Sequence, residues 1–147
     1  MRRVEIRRAN PDEGDFVFHV RERSFRETIE RSGGWDHEFQ RSTHDRRFGS
    51  QDYWIVLVDD ERAGSMSFEM DPEALALFQL FLLPEYQSQG VGEQCMGIVM
   101  RLAADRRVKV RLQVLKANAR ALAFYIRLGF YVVDATSSHD VMEWSPA

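Results

Sequence analysis

The chain has 147 residues, 44% hydrophobic and 29% charged, with a net charge of -3. That composition describes one soluble globular domain with a single core and excludes a disordered chain. The acidic balance gives no electrostatic case for nucleic acid or an anionic membrane surface, so neither is expected as a partner. One cysteine, Cys95, excludes an intrachain disulfide framework and fits a reducing cytoplasm.

The basic start, Met1 to Arg8, has no apolar region after it and is not read as a secretory signal. No apolar stretch reaches the about 18 residues that span a bilayer. Val4 and Ile6 alternate with charged neighbours, which predicts a short half-buried strand. Asn10-Pro11-Asp12 then reads as a capped helix start, with proline in the first helical position. Phe16, Val20, Phe25 and Ile29 carry this first helix to about Arg31, where Ser32-Gly33-Gly34 breaks it. Trp35 to Phe48 predicts a second, charged helix. Two aromatics beside a double glycine, Trp35 and Phe39, fit either a mobile loop over a pocket or a simple docking of this helix onto the core.

Tyr53 to Val58 is rich in β-branched and aromatic residues and predicts a strand. Asp59 to Arg62 turns it into a partner, Ala63 to Met70, and a further turn at Asp71-Pro72-Glu73 leads to Ala74 to Leu83. That last run is nearly all apolar, as for a central strand covered on both faces. Pro84 stops it. A short polar turn then delivers Gln87-Ser-Gln89-Gly90-Val91-Gly92 to the start of a third helical pattern carried by Val91, Cys95, Ile98, Val99 and Leu102. The glycines allow a tight turn and close approach of a ligand, and a helix N-terminus favours an anion. The same residues also fit a plain strand-to-helix connection. Val108 to Val114 alternates as a strand, Asn118 caps a helix ending at Gly129, and Phe130 to Val133 and Val141 to Trp144 are short strands around a turn at Asp134 to Asp140.

The order is β-α-α-β-β-β-α-β-α-β-β, a single α+β (α/β layered) domain over residues 1–147 with a mixed sheet. Gly90-x-Gly92 lacks the third glycine of a dinucleotide fingerprint, and no triphosphate-binding loop or nucleophile elbow occurs. The histidines show no metal-binding spacing, so no metal is expected.

Gln87-x-x-Gly90-x-Gly92 after a strand ending Leu-Leu-Pro84 resembles the acyl-CoA motif of the GNAT superfamily of N-acetyltransferases. Asn118-Ala-Arg-Ala121-Leu-Ala-Phe124-Tyr125-Ile-Arg-Leu128-Gly129-Phe130 resembles the same family's downstream helix motif. The resemblance implies a mostly antiparallel central sheet, helices on both faces and a splayed cleft for acetyl-CoA as co-substrate. It implies that the amides of Gln89, Gly90, Val91 and Gly92 receive the pyrophosphate. Gln87 and Gln89 stand where many relatives carry basic residues, so binding would lean on backbone N–H groups and the helix dipole. It implies that Phe81, Leu82 and Leu83 meet the pantetheine and the thioester carbonyl, and that Asn118, Ala121 and Tyr125 face the cofactor from one side of their helix. Tyr125 would be the general acid toward the leaving thiolate.

A base is not evident. Glu69 on the strand beside the central one is the candidate, with Glu27 and Glu30 on the first helix behind it. Cys95 lies in the first turns of its helix, where a thiol pKa can fall, but core packing is the weightier reading. Glu27, Glu30, Asp36 and Glu38 would bring negative charge to an acceptor pocket between the first two helices and the late turn, with Trp35 at its edge. The reading is an acyl-CoA-dependent N-acyltransferase moving an acetyl group to a primary amine of a small molecule or peptide by direct attack. The alternative is a non-catalytic acyl-CoA-binding sensor or interaction module. A homodimer is kept open as the oligomeric state.

Overall fold

The computed structural model describes residues 2–147. Strand β1 (Val4–Arg8) leads through a 3-10 turn (Pro11–Glu13) into helices α1 (Gly14–Arg31) and α2 (His37–Ser50). Strands β2 (Tyr53–Val58), β3 (Glu61–Met70) and β4 (Ala74–Leu82) follow, then a second 3-10 turn (Pro84–Tyr86) and helix α3 (Val91–Asp105). Strand β5 (Lys109–Leu115), helix α4 (Ala119–Arg127) and strands β6 (Tyr131–Ala135) and β7 (His139–Trp144) complete the chain. The order of elements is the one expected.

Side-chain caps account for two helix starts. Asp36 accepts the Phe39 N–H at 3.0 Å, and Asn118 accepts the Ala121 N–H at 3.1 Å. Gly129 follows α4 with φ +100°, the left-handed conformation that ends helices. The late turn is shorter than its polar sequence implied. β6 runs on to Ala135 and β7 starts at His139, because β7 pairs with β5 as far as Leu115↔His139. Main-chain pairing overrode composition there.

The seven strands form one sheet in the order β1-β2-β3-β4-β5-β7-β6. Every neighbouring pair is antiparallel except β4 and β5. The period of two along β2 divides the core. Tyr53, Ile55 and Leu57 pack with Val17, Phe16 and Phe48 of α1 and α2. Trp54, Val56 and Val58 join the larger cluster that holds Val91, Cys95, Met96 and Val99 of α3 and the apolar stripe of α4. So α1 and α2 cover one face, and α3 and α4 the other.

The sheet is split at its centre. β4 and β5 pair only from Ala74↔Lys109 to Leu77↔Leu112, although both strands continue. The next β4 residue, Phe78, is the extra residue of a bulge: Phe68 pairs with Leu77 and Ser67 with Gln79, leaving Phe78 opposite nothing. A bulge bends its strand and strengthens the local twist. Here it turns the rest of β4 away from β5 and toward β3. Gly64 permits the close approach on that side, because a Cβ there would lie 2.2 Å from the Phe81 carbonyl oxygen.

Candidate active site

Two cavities meet in this gap. One, of about 780 Å³, is lined by Leu80, Phe81 and Leu82 of β4, by Gln87, Ser88, Gly90 and Gly92, and by Asn118, Arg120, Ala121, Phe124, Tyr125 and Arg127 of α4. The other, of about 720 Å³, is lined by Ala76 to Phe81, by Arg111 to Leu115 of β5, by Arg21 and Phe25 of α1, by Gln40 and Arg47 of α2, and by His139. Phe25, Leu80, Phe81, Asn118, Ala121 and Tyr125 line both. The cleft therefore runs from the α3 start, between the split strands, to the α1–α2 end.

The first cavity ends at the N-terminus of α3. Gly90 caps that helix in the left-handed conformation at φ +81°, with open space where a Cβ would project. The first helical bond is Gln94 N–H to Gly90 O at 3.1 Å, so the amides of Val91, Gly92 and Glu93 precede the ladder. Gly92 is an ordinary helical residue by contrast, and a Cβ there would lie 3.4 Å from Phe124 Cζ. Its lack of a side chain serves the packing of α3 on α4 rather than a special backbone angle.

The glutamines do different work from that expected. Gln87 lines the cavity while its Nε2 donates to the Leu82 carbonyl at 2.9 Å, tying the turn to the end of β4. Gln89 donates to the Glu85 carbonyl at 2.7 Å, accepts from Arg2, and lines neither cavity. Val91 is buried in the core, so only its amide is on offer. Formal positive charge comes from elsewhere: Arg120 and Arg127 of α4 and Arg23 of α1 line the cavity, and Arg120 donates to the Ser88 hydroxyl at 2.7 Å. Arg120 was legible as a cation two residues beyond the Asn118 cap, but only the fold sets α4 against the α3 start.

The β3–β4 register decides which N–H groups reach the cleft. Leu83 N–H donates to the Ala63 carbonyl at 2.9 Å, which fixes the phase of the alternating antiparallel pattern. Leu83 and Phe81 therefore turn their main-chain groups to β3, and the Phe81 carbonyl pressing on Gly64 agrees. Leu80 and Leu82 turn theirs to the gap. Of the three donors expected at Phe81, Leu82 and Leu83, only Leu82 qualifies, and Leu80 joins it. Phe81 still contributes its ring, which lies tilted against Phe25 of α1 with centroids 4.9 Å apart.

Tyr125 lines both cavities where they meet. Burial, with the nearby Cys95 thiol, pushes its hydroxyl pKa well above the usual phenol range, so the proton stays on at neutral pH. The hydroxyl makes no hydrogen bond among the described residues, which leaves it for a ligand. Asn118 spends its carbonyl oxygen on the α4 cap and has its NH₂ left to offer. Cys95 is fully buried, and burial pushes its thiol up to about 12. That is a packing residue, not a nucleophile.

The acidic candidates do not assemble. Glu69 is exposed, sits opposite Ala76 where β4 is still paired with β5, and lines neither cavity, so it cannot take a proton from an amine in the cleft. Glu27 borders the α3-side cavity but pairs with Arg31, and Glu30 pairs with Arg26. Asp36 is a helix cap and Glu38 is exposed. Trp35 packs against Phe18 under the Arg26 guanidinium, which docks the α1–α2 connection, and it lines neither cavity, although Ser32 and Gly34 beside it border the second one, while Phe39 is exposed. The α1–α2 cavity does lie where the acceptor pocket was expected, with His139 of the late turn at its border. Among the described residues it is lined by arginines and no carboxylate. No group of acidic residues, histidines or cysteines among the described residues could hold a metal ion, and no helix is long and apolar enough to cross a membrane.

The family model described as Acetyltransferase (GNAT) family matches residues 15–130. A curated relative, an uncharacterized N-acetyltransferase of Archaeoglobus fulgidus, is 28% identical over 142 residues, covering 83% of this chain and 89% of that protein. In fold the chain is similar to the PaiA N-acetyltransferase of Thermoplasma acidophilum, solved with coenzyme A, at a TM-score of 0.80 and 20% identity over 98% of this chain and 99% of that one. It is also similar to the ribosomal-protein-S18-alanine N-acetyltransferase of Escherichia coli, at a TM-score of 0.72 and 18% identity over 97% of this chain and 94% of the other.

Proposed function

The chain belongs to the acetyltransferase (GNAT) family, and from that premise we propose that it transfers the acetyl group of acetyl-CoA to a primary amine bound in the α1–α2 cavity. The observation that carries this reading is the split between β4 and β5, which places unpaired main-chain donors, a helix N-terminus and the Tyr125 hydroxyl along one continuous cleft. The residues fit the co-substrate: the free amides of α3 with Arg120 and Arg127 suit phosphates, and the narrow gap beside β4 suits an extended amide chain. Bound there, acetyl-CoA supplies an acyl group already activated as a thioester.

The chain's own contributions follow from position. Leu80 and Leu82 N–H groups donate to the carbonyl oxygen as negative charge gathers on it. The amine nitrogen attacks the carbonyl carbon, the C–N bond forms and the C–S bond breaks. Tyr125 holds its proton near the departing sulfur and donates it as the thiolate develops. His139 takes the place Glu69 was expected to fill: of the side chains lining the acceptor cavity, it alone carries an imidazole that can serve as a general base, directly or through water. The single buried cysteine supports a reducing, cytoplasmic setting.

The test is thiol release from acetyl-CoA across an amine panel, run with Tyr125→Phe alongside. The expected result is turnover by the wild type, with kcat about 100-fold lower in the variant and CoA affinity unchanged. CoA binding without turnover of any amine would favour a binding module, and equal loss of kcat and CoA affinity would make Tyr125 structural.

A further inference from the structure

We propose that the acceptor is a small amine carrying an anionic group, a carboxylate or a phosphate, which Arg21 and Arg47 hold at the α1–α2 end of the cleft. This deepens the acyltransfer reading and rests on it. The cavity wall carries the guanidinium groups of Arg21, Arg47 and Arg111 and no aspartate or glutamate. Arg111 is already neutralised by Glu143, at 2.6 Å. Arg21 and Arg47 have no carboxylate within the 4.0 Å of an ion pair among the described residues. That sets them apart from Arg26, Arg31 and Arg41 on the same two helices, each of which sits against a carboxylate.

Arg21 is the more enclosed of the two. Its Nε donates to Gln40 at 3.2 Å, and its guanidinium lies 5.3 Å from the Phe25 ring and 5.7 Å from the Phe81 ring. Burial, with Arg47 nearby, lowers its pKa to about 10, so it remains a cation at neutral pH. A desolvated guanidinium without a counter-ion is costly unless an anion completes it. Beside both arginines is the Tyr53 hydroxyl, on a residue only 3% exposed, with no hydrogen-bond partner. The Gln79 amide is near it without closing a bond of ordinary geometry. Arg21 and Arg47 thus bring two guanidinium groups without a carboxylate to the cavity wall, and the buried Tyr53 hydroxyl lies near them outside that wall. Guanidinium matches carboxylate and phosphate in the planar, bidentate manner that a lysine cannot. Because Arg21 lies over Phe81, between the cleft-facing Leu80 and Leu82, the anion and the reacting amine belong to one small molecule.

The experiment compares alanine and phosphoethanolamine with alaninamide and spermidine as acceptors, in the wild type and in Arg21→Gln, Arg47→Gln and the double variant. The expected kcat/KM for at least one anionic amine exceeds that for alaninamide by about tenfold or more. The ratio falls toward one in Arg21→Gln, with the affinity for CoA unchanged. Whichever of alanine and phosphoethanolamine is preferred identifies the anion. Calorimetric titration of N-acetylalanine and N-acetylalaninamide into the CoA-bound protein decides the subsite even if no amine is turned over. Turnover can then fail, overturning the acyltransfer reading, while the acetylated acid still binds more tightly than its amide in an Arg21-dependent way. Preference for alaninamide or spermidine, equal binding of the acid and amide together with no preference for phosphoethanolamine, or a preference that survives in the double variant overturns the proposal.

Discussion

Replacing Glu13 by glutamine tests how α1 is set in place, and with it Arg21 and Phe25. The Glu13 carboxylate is 6% exposed, yet it lies near the periphery, covered by the arginine side chains that bind it. It accepts from Arg7 at 2.7 and 3.0 Å, from Arg62 at 3.2 Å and from the Asn10 N–H at 2.8 Å, joining β1, β3 and the entry to α1. The Arg7 hydrogen bonds above all hold its pKa down from 4.5 to about 2, against a smaller cost of burial. At about 1.4 kcal/mol per pH unit, this corresponds to about 3 kcal/mol of stability at neutral pH. The arginine side chains are 39% and 48% exposed, so solvent screening reduces the expected cost of Glu13→Gln to about 2 kcal/mol. Because the folded-state pKa is depressed, this contribution is complete above pH 4.5 and is lost as the pH falls toward 2. Urea unfolding of both proteins from pH 7 to pH 3 should show stabilities that converge as the wild type protonates. A difference of the same size at both ends, or one below about 0.5 kcal/mol at pH 7, refutes the reasoning.

Gly90→Val should weaken CoA binding at least about tenfold, since a β-branched residue resists the left-handed conformation, whereas Gly92→Ala should stay within a few-fold; calorimetry with CoA separates them, and equal effects would remove the distinction drawn from their backbone angles. Arg120→Ala should raise the KM for acetyl-CoA several-fold and flatten its dependence on salt; an unchanged salt dependence would assign the phosphates to backbone amides alone. Cys95 should resist aromatic disulfide reagents in the native protein and react on unfolding, and its alanine variant should retain kcat, as direct attack requires; rapid native labelling or loss of turnover would reopen an acyl-cysteine relay.

The strands and helices were readable because local signals agreed with the fold: β-branched and aromatic residues in β2, alternation in β5, the cap at Asn118, the glycine after α4. That Gln87 to Gly92 and Asn118 to Tyr125 would border one cleft was readable for the same reason, since each is a contiguous stretch. What stayed hidden depended on register and on distant neighbours. No sequence pattern marks Phe78 as a bulge, and that one extra residue sets which of Leu80 to Leu83 face the cleft. The charge of the acceptor cavity was misread because acidic residues on α1 were counted without their partners. Glu27 and Glu30 are answered by Arg31 and Arg26 one helical turn away, while Arg21 and Arg47, unremarkable in sequence, border one cavity without a carboxylate beside either.

Past Leu77 and Leu112 the sheet has two edges that face each other across the gap instead of facing outward. An unpaired edge is ordinarily a liability, since any extended chain can add to it. Enclosed here between α1 and α4, it admits only something slender, and recognition at its centre is by peptide groups that every residue except proline carries. Drift at Leu80 or Leu82 can change volume and grease without deleting the donor. A site built on main-chain atoms is in this sense nearly immune to substitution.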